Sequence, residues 1–261
     1  MENSVSDFAN DDDRKELAVV VGATGAFGRE IVDRLVGRGL KVIAVARSAD
    51  SLAVLQARQP SIGICAADIA ADSAIDTIRK VLDRPVRAVV HGPGVGVAGG
   101  ILTAATPTLV DAVNIKVGGL LRLARASDQR LVAGSRIIAI GGHYGLEPTA
   151  YAAAAGVANA ALVNVVRQLS LAYGERGVTA HVIAPGPADT ERLRRVAADR
   201  AGMRGVGVDA VLDEMLAESS IRRFTTPAQV AWAVTMLLDP CADAMTGSTL
   251  MLDSGRRRGL P

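Results

Sequence analysis

Aromatic residues are scarce in this chain of 261 residues, where they make up only 3% of the sequence. Hydrophobic residues nevertheless account for 49% of it. The core must therefore be built mainly from alanine, valine, leucine and isoleucine packed in layers. Such layers of small aliphatic side chains are typical of helices that cover a parallel sheet.

Cysteine and net charge are also in short supply. The two cysteines, Cys65 and Cys241, have no metal-site spacing and cannot form a disulfide framework, so we expect both to be reduced and structural, and we predict no metal site. The 29 basic and 27 acidic residues leave a formal charge of +2 and are spread along the chain. Because nucleic-acid binding requires clustered basic residues, we expect no nucleic-acid partner.

Long apolar runs are missing as well. Met1 is followed by polar and acidic residues rather than by the basic and apolar regions of a signal peptide, and no apolar run has membrane length. We therefore predict a cytoplasmic protein without a membrane partner. Residues 1–15 contain almost no apolar side chains and are predicted to form a disordered tail.

From Glu16 onward, short runs of valine, isoleucine and alanine alternate with segments of helical periodicity. This alternation predicts one α/β domain over 16–261, a Rossmann-type doubly wound domain whose seven-stranded parallel sheet has helices on both faces. The predicted strands are 18–22, 41–46, 61–66, 88–91, 136–141, 179–183 and 249–252, and the predicted helices are 28–38, 73–82, 108–127, 150–175 and 227–238. Residues 145–149 and 189–223 are predicted to be irregular or mobile.

The first predicted strand leads into a turn with glycine at every third position, Gly22, Gly25 and Gly28, and then into a helix. The first glycine permits the tight exit from the strand, the second lets the backbone approach a pyrophosphate, and the third lets the helix pack closely. The helix N-terminus then faces the phosphates. We expect a dinucleotide to bind here, with contacts from these glycines and from Thr24, Ala26 and Phe27.

The end of the second predicted strand indicates which dinucleotide is preferred. Sites that favour NAD(H) usually carry a carboxylate there, whereas this chain has Arg47 and Ser48. A guanidinium group matches the geometry of a phosphate, so we expect these residues to bind the 2′-phosphate of NADP(H). The alternative is a solvated arginine at a strand end.

Further landmarks follow in a fixed order, namely Asp68-Ile69, His91-Gly92-Pro93-Gly94, Asn114, Pro185-Gly186-Pro187-Ala188-Asp189-Thr190, and residues 246–255. With the glycine turn, they resemble the short-chain dehydrogenase/reductase family over residues 16–255. The resemblance implies that Asp68 and Ile69 contact adenine and that Gly92 binds the cofactor. It also places Pro185, Gly186 and Thr190 near the nicotinamide.

The resemblance is incomplete at the catalytic positions. Reductases of this family use a serine, a tyrosine, and a lysine one helical turn after the tyrosine, which lowers the pKa of the phenol. Tyr151 fits the tyrosine position, but Ala155 stands four residues later and Gly142 stands at the serine position. The nearest preceding lysine is Lys116, and none follows it. Asn114 matches the family's helix asparagine, which organises a water chain that ends at the lysine.

Two residues beside the missing serine could act instead. His143 could donate a proton near neutral pH, and Tyr144 adds a second phenol, although either ring could simply pack over the alanine-rich helix. The leading interpretation is an atypical NADP(H)-dependent oxidoreductase acting on a ketone or alcohol. A non-redox enzyme on the same scaffold, such as a cyclase, lyase or hydrolase, and an inactive nucleotide-binding regulator are the alternatives.

Residues 190–223 occupy the place of the family's substrate lid and mix arginines with apolar residues. Such a lid would suit a hydrophobic small-molecule substrate with an anionic part, whereas the simpler interpretation is an amphipathic helix with a solvated face. The alanine-rich helix at 150–175 permits close helix packing. The resemblance implies that this helix lies in the interface of a homodimer or homotetramer.

Overall fold

The computed structural model describes residues 16–97 and 99–257, and all structural statements below concern these residues. The strands are β1 (Leu17–Val21), β2 (Lys41–Ala46), β3 (Gly63–Ala66), β4 (Val86–His91), β5 (Leu131–Ile140), β6 (Thr179–Pro185) and β7 (Thr249–Leu252). The helices are α1 (Ala26–Gly37), α2 (Ala49–Arg58), α3 (Ser73–Arg79), α4 (Thr106–Val113), α5 (Gly119–Ser127), α6 (Ala153–Gly174), α7 (Glu191–Arg204), α8 (Val208–Ala217) and α9 (Pro227–Met236).

All neighbouring strands are parallel, in the order β3-β2-β1-β4-β5-β6-β7. The strand order reverses beside β1, where Val21 pairs with Val45 on one side and with His91 on the other. In an open parallel sheet, a ligand binds outside the carboxyl ends of the strands at such a reversal. The predicted Rossmann-type fold with seven parallel strands is therefore confirmed.

Both faces of the sheet are covered, so its strands are continuously apolar. In β1, Leu17, Val19 and Val21 face one hydrophobic core, and Ala18 and Val20 face the other. Helices α3, α5 and α6 cover the first face, and helices α1, α2 and α9 cover the second. Each fully buried aliphatic side chain of valine or leucine size contributes about 1.5–3 kcal/mol.

Residues 189–223 were expected to be irregular, and that prediction is wrong. They form α7 and α8, which pack on each other through the buried side chains Leu193, Ala197, Val211 and Met215. Gly205, with a φ of +65°, ends α7 in the left-handed conformation. Each of the two helices buries one face and exposes the other, as the amphipathic-helix interpretation expects.

One helix was not predicted from the sequence. Helix α2 begins after Ser48, which caps it by accepting a hydrogen bond from the Ser51 amide at 3.1 Å.

The remaining predictions concern the cysteines, the tail and membrane segments. Cys65 in β3 is buried and Cys241 is exposed, and both are free thiols. The predicted disordered tail, 1–15, lies outside the described residues. In the part of the chain that is described, no helix has both the length and the apolarity to cross a membrane.

A π-helical turn at Asn114–Gly118 joins α4 to α5. The His91 side chain bonds to this turn, because its Nε2 lies 3.0 Å from the Ile115 carbonyl oxygen. Gly119 allows the close approach, since a Cβ atom there would lie 2.7 Å from His91 Cε1. The turn is therefore held against the end of β4, at the cavity described next.

Candidate functional site

A cavity of about 720 Å³ lies at the carboxyl ends of the strands. Loops after β1, β4, β5 and β6 line it, together with parts of α6, α7 and α8. Most of the predicted site residues line it, namely Gly22, Gly25, Ala26, Phe27, Gly28, Gly92, His143, Tyr144, Pro185, Gly186 and Thr190. The cavity thus joins the glycine turn at one end to the segment after β6 at the other.

The glycine turn is shaped by backbone contacts that leave no room for side chains. Gly22 has a φ of +81°, which favours glycine. A Cβ atom on Gly28 would lie 2.6 Å from the Ala23 Cα atom. Helix α1 begins at Ala26 after Gly25, so its unbonded backbone N–H groups are at the cavity wall. These residues fit a pyrophosphate group.

The predicted adenosine-binding residues lie outside the cavity lining, as does Thr24. Arg47 is exposed at the end of β2 and forms no ion pair with any described residue. Ser48 caps α2, and the Asp68 carboxylate accepts a hydrogen bond from the Ala70 amide at 3.1 Å. Ile69 is buried in the core. The first turn of α2 begins immediately after Arg47 and Ser48.

The structure places Tyr151 differently from the sequence prediction. Helix α6 begins at Ala153, so Tyr151 lies in the turn before it and does not line the cavity. The two α6 residues that line it, one helical turn apart, are Ala155 and Asn159. Ala155 and Asn159 carry neither a phenol nor an amine.

Gly142, at the end of β5, also lines the cavity, opposite α6. A Cβ atom on Gly142 would lie 2.9 Å from Asn159 Nδ2. The Asn159 amide therefore takes up the space that a serine side chain at position 142 would need. Asn159 is buried, and its Oδ1 atom has no hydrogen-bond partner among the described residues. A buried acceptor without a partner is costly unless a ligand or water completes it.

Tyr144 and Tyr151 form a pair of hydrogen-bonded phenols. Their hydroxyl oxygens are 2.8 Å apart, and their rings meet edge to face with centroids 5.7 Å apart. The Arg200 guanidinium of α7 lies 4.2 Å from the centroid of the Tyr151 ring. Burial, and then the neighbouring Tyr151, raise the pKa of Tyr144 well above its ordinary value. Tyr144 is therefore a neutral phenol that can hydrogen-bond to a ligand in the cavity.

His143 is buried, and its ring centroid lies 4.1 Å from that of Tyr144. Burial, followed by the charge of Arg256, lowers the pKa of His143 to about 4. The imidazole is therefore neutral at pH 7. This corrects the expectation that His143 could donate a proton near neutral pH, because the imidazolium form is not available there.

Asn114 lies in the π-helical turn but does not line the cavity. Its side-chain amide donates a hydrogen bond to the Ala70 carbonyl at 3.0 Å, and its Oδ1 accepts one from Arg122 at 3.0 Å. Both ends of the side chain are thus occupied by protein groups. Asn114 fixes the position of the turn rather than presenting its amide to a ligand.

Lys116 is a cavity residue that no sequence motif identified. It is buried, it lines the cavity, and its Nζ donates a hydrogen bond to the Ile140 carbonyl at 2.7 Å. Burial, and then the charge of Arg192, lower the pKa of Lys116 to about 7. The only signal in the sequence was a lysine between Ile115 and Val117 in an apolar segment. Most such lysines extend to solvent, so the sequence alone did not reveal its position.

Arg192 of α7 enters the cavity from the opposite side and donates a hydrogen bond to the Val95 carbonyl. Glycine at position 94 leaves room for this guanidinium. The described residues contain no cluster of histidine, cysteine and carboxylate side chains that could hold a metal ion. Lys116 and Arg192 thus bring two basic side chains into the cavity, whose lining also includes the charged residues Arg29, Asp189, Glu191, Arg194 and Arg195.

Comparison with known proteins shows relatives of this chain along most of its length. The sequence model of a family described as enoyl-(acyl carrier protein) reductase matches residues 22–257. A putative ketoacyl reductase of Streptomyces coelicolor is 27% identical over 254 residues, covering 92% of this chain and 96% of the relative. The 3-oxoacyl-[acyl-carrier-protein] reductase of Salmonella typhimurium is 27% identical over 248 residues, covering 92% of this chain and 96% of that protein.

A solved structure of comparable similarity is that of a variant of actinorhodin polyketide ketoreductase with NADPH. It is 25% identical, with a TM-score of 0.84, over 94% of this chain and 98% of that one. The matches extend over nearly the full length of both chains.

Proposed function

Because this chain belongs to the short-chain dehydrogenase/reductase family, we propose that it is an NADP(H)-dependent oxidoreductase that interconverts a ketone and an alcohol. The observation that carries the proposal is that one continuous cavity runs from the glycine turn to the segment after β6. A dinucleotide bound with its pyrophosphate at α1 would extend along this cavity towards Pro185 and Gly186.

The preference for NADP(H) rests on Arg47. Its guanidinium forms no ion pair with a described residue, and it stands directly before the N-terminus of the ten-residue helix α2. A phosphate there would meet a guanidinium and the first backbone N–H groups of the helix. Ser48 and Thr24 would add polar contacts around the ribose and pyrophosphate. Asp68 and Ile69, which follow the neighbouring strand β3, would contact the adenine.

The bound nicotinamide supplies the hydride in this chemistry. The chain's own residues bind and orient the carbonyl compound. The Tyr144 hydroxyl, held by Tyr151, donates a hydrogen bond to the substrate oxygen. Neutral His143 supports the Tyr144 ring, and Asn114 fixes the π-helical turn. Helices α7 and α8 line one side of the cavity and would shield these polar contacts from water.

The cavity suits a substrate with both apolar and anionic parts. Its α7 and α8 side carries the apolar residues Leu193, Val196 and Met215 together with Arg192 and Arg195. The relatives named above act, by their names, on ketoacyl or polyketide substrates. We therefore take a β-ketoacyl thioester as the substrate class to test first.

The test begins with NADPH and NADH titrations of the wild type, of Arg47→Ala and of the control Arg34→Ala, which alters an exposed arginine near the end of α1. Arg47→Ala should weaken NADPH binding about 10-fold or more and leave NADH binding nearly unchanged, because only NADPH carries the 2′-phosphate. Wild-type protein should also oxidise NADPH in the presence of acetoacetyl-N-acetylcysteamine. Absence of NADPH binding would contradict the proposal.

One observation favours a second candidate, a nucleotide-binding regulator. The strand end and α6 bring Gly142, Ala155 and Asn159 to the cavity, and none of these side chains carries a hydroxyl, a phenol or an amine. NADPH binding without oxidation of NADPH by any member of a ketone panel would support this candidate. Turnover of a substrate by nucleotide-free protein would instead support a non-redox enzyme.

The assembly we propose is a homodimer or homotetramer that pairs through α6. This helix exposes Val157 and Leu171, which are 43% and 82% accessible, in an alanine-rich sequence that permits close packing. Light scattering coupled to size-exclusion chromatography measures the mass. Leu171→Glu should shift the mass towards that of the monomer, and a monomeric wild type would rule the assembly out.

A further inference from the structure

We propose that Lys116 supplies the ammonium group of this reaction centre, contacting the cofactor's ribose and providing the proton that the carbonyl oxygen takes up. Lys116 would thus replace, from a different helix, the lysine that the family resemblance predicts on α6. This inference rests on the proposed function. It concerns a residue outside the sequence motifs that the family resemblance identified.

A π-helical turn brings Lys116 to the cavity. Lys116 is the central residue of the π-helical turn, whose position is fixed by His91 at Ile115 and by Arg122 at Asn114. π-helical turns are frequent at functional sites because they alter which side chains face a neighbour. The side chain of Lys116 then reaches the end of β5, where Nζ bonds to the Ile140 carbonyl.

The Nζ atom keeps hydrogen-bonding capacity for a ligand. An ammonium group has three N–H donors, and within the described residues Lys116 makes one hydrogen bond. Asn159 adds an acceptor in the same cavity, because its buried Oδ1 has no hydrogen-bond partner in the described part of the chain. Donors from Lys116 and an acceptor from Asn159 form a complementary set for hydroxyl groups, such as those of a ribose.

Two other titratable groups that line the cavity, His143 and Tyr144, are poor proton donors at neutral pH. The lowered pKa of His143 leaves it neutral, and the raised pKa of Tyr144 makes it a very weak acid. Arg192 is the charged neighbour of Lys116, and buried His91, with a pKa of about 3, is neutral. No described carboxylate forms an ion pair with Lys116. With a pKa of about 7, Lys116 can hold and release a proton in the physiological range.

The proton balance is simple. Reduction of a ketone adds a hydride, with two electrons, to the carbonyl carbon and a proton to the oxygen. The Lys116 ammonium breaks one N–H bond, gives this proton to the oxygen and becomes a neutral amine. A proton from solvent restores the ammonium after product release, and oxidation of the alcohol follows the same steps in reverse.

The experiment compares wild type, Lys116→Met, Lys116→Arg and the control Lys80→Met, which alters the exposed lysine at the end of α3. NADPH affinity is measured by fluorescence titration, and acetoacetyl-N-acetylcysteamine is the substrate. Lys116→Met should weaken NADPH binding about 10-fold and lower kcat about 100-fold. In the wild type, kcat/KM should fall as pH rises through about 7, because the ammonium form is needed.

Lys116→Arg should keep NADPH affinity within roughly threefold and lose the fall in kcat/KM near pH 7, because arginine stays charged. Adding Asn159→Lys to Lys116→Met should restore part of the lost rate, because it returns an amine to the cavity from α6. If Lys116 had only a structural role, an amine introduced at position 159 would not restore the rate. In ¹⁵N-lysine-labelled protein, one Nζ resonance should titrate near pH 7, shift on addition of NADPH, and be absent from Lys116→Met.

The outcomes separate this inference from the proposed function. Wild-type protein that fails to bind NADPH overturns the proposed function and this inference with it. Wild-type protein that binds and oxidises NADPH, while Lys116→Met keeps both the affinity and the pH profile, overturns only the role of Lys116. Circular dichroism of the variants establishes that they are folded.

Discussion

Gly142 and Asn159 face each other so closely that a Cβ atom on Gly142 would lie 2.9 Å from Asn159 Nδ2. The space between the end of β5 and helix α6 therefore holds only one side chain, and that side chain is Asn159. A serine at position 142 would have to displace the amide. The Asn159 amide thus fills the part of the cavity wall where the family resemblance predicts a serine hydroxyl.

Gly142→Ala should be tolerated, whereas Gly145→Ala should be destabilising. Gly142 has an extended φ of 175°, and the atom in its way is the end of a flexible side chain. A Cβ atom on Gly145 would lie 2.7 Å from the backbone carbonyl carbon of Asn159, which cannot move without α6. We expect a loss of about 1–3 kcal/mol for Gly145→Ala and clearly less for Gly142→Ala, measured by urea unfolding. Equal losses would contradict the described packing.

Gly28→Ala should abolish NADPH binding, because its methyl group would lie 2.6 Å from the Ala23 Cα atom and distort the turn. Gly37→Ala, in the same helix, is the matched control, since no atom lies within 4 Å of its Cβ position. The control should bind NADPH normally and gain up to about 1 kcal/mol in stability. Normal NADPH affinity in Gly28→Ala would show that the nucleotide does not use this turn.

The protein should lose stability as the pH falls from about 6.5 towards 4. His181 is buried, and burial, followed by the charge of Arg136, lowers its pKa to about 4. A lowered folded-state pKa means that the unfolded chain binds the proton first, so stability is full above the unfolded pKa and decreases below it. The slope is about 1 kcal/mol per pH unit for each such histidine. His181→Asn should reduce this slope in urea unfolding at pH 7.5, 6 and 5, and an unchanged slope would refute the linkage.

Tyr144→Phe should impair ketone reduction more than Tyr151→Phe does. Both variants remove the hydrogen bond between the two hydroxyls, but only Tyr144 lines the cavity. Loss of a hydrogen bond to the substrate oxygen should lower kcat/KM about 10-fold or more, while loss of the supporting phenol should cost only a few-fold. NADPH affinity, which neither hydroxyl determines, serves as the control. A larger effect of Tyr151→Phe would reverse their roles.

The fold and the glycine turn were predictable because they depend on local patterns. Strand and helix periodicity, and three glycines at fixed spacing, are each set within a few residues of sequence. The start of α6 was harder to predict, for an equally physical reason. The run Ala152-Ala153-Ala154-Ala155 fits any part of a helix, so the sequence does not mark where α6 begins. The structure resolves this ambiguity through the loop after β4, whose Gly99 carbonyl accepts a hydrogen bond from Ala153 at 3.0 Å.

Lys116 was beyond the reach of sequence patterns because its environment is nonlocal. Its hydrogen-bond partner Ile140 is 24 residues away, and its place in the cavity lining depends on a π-helical turn that periodicity does not reveal. The pKa of His143 is likewise lowered by burial and by Arg256, far along the chain. Such properties emerge only when distant elements are packed together.

Helix α7 touches the site at two separate points, with Arg192 at the Val95 carbonyl and Arg200 over the Tyr151 ring. An outward movement of this one helix would break both contacts together. It would also carry a positive charge away from Lys116, whose proton affinity would then increase. The open protein would accordingly load its proton, and closure over a substrate would make that proton easier to release.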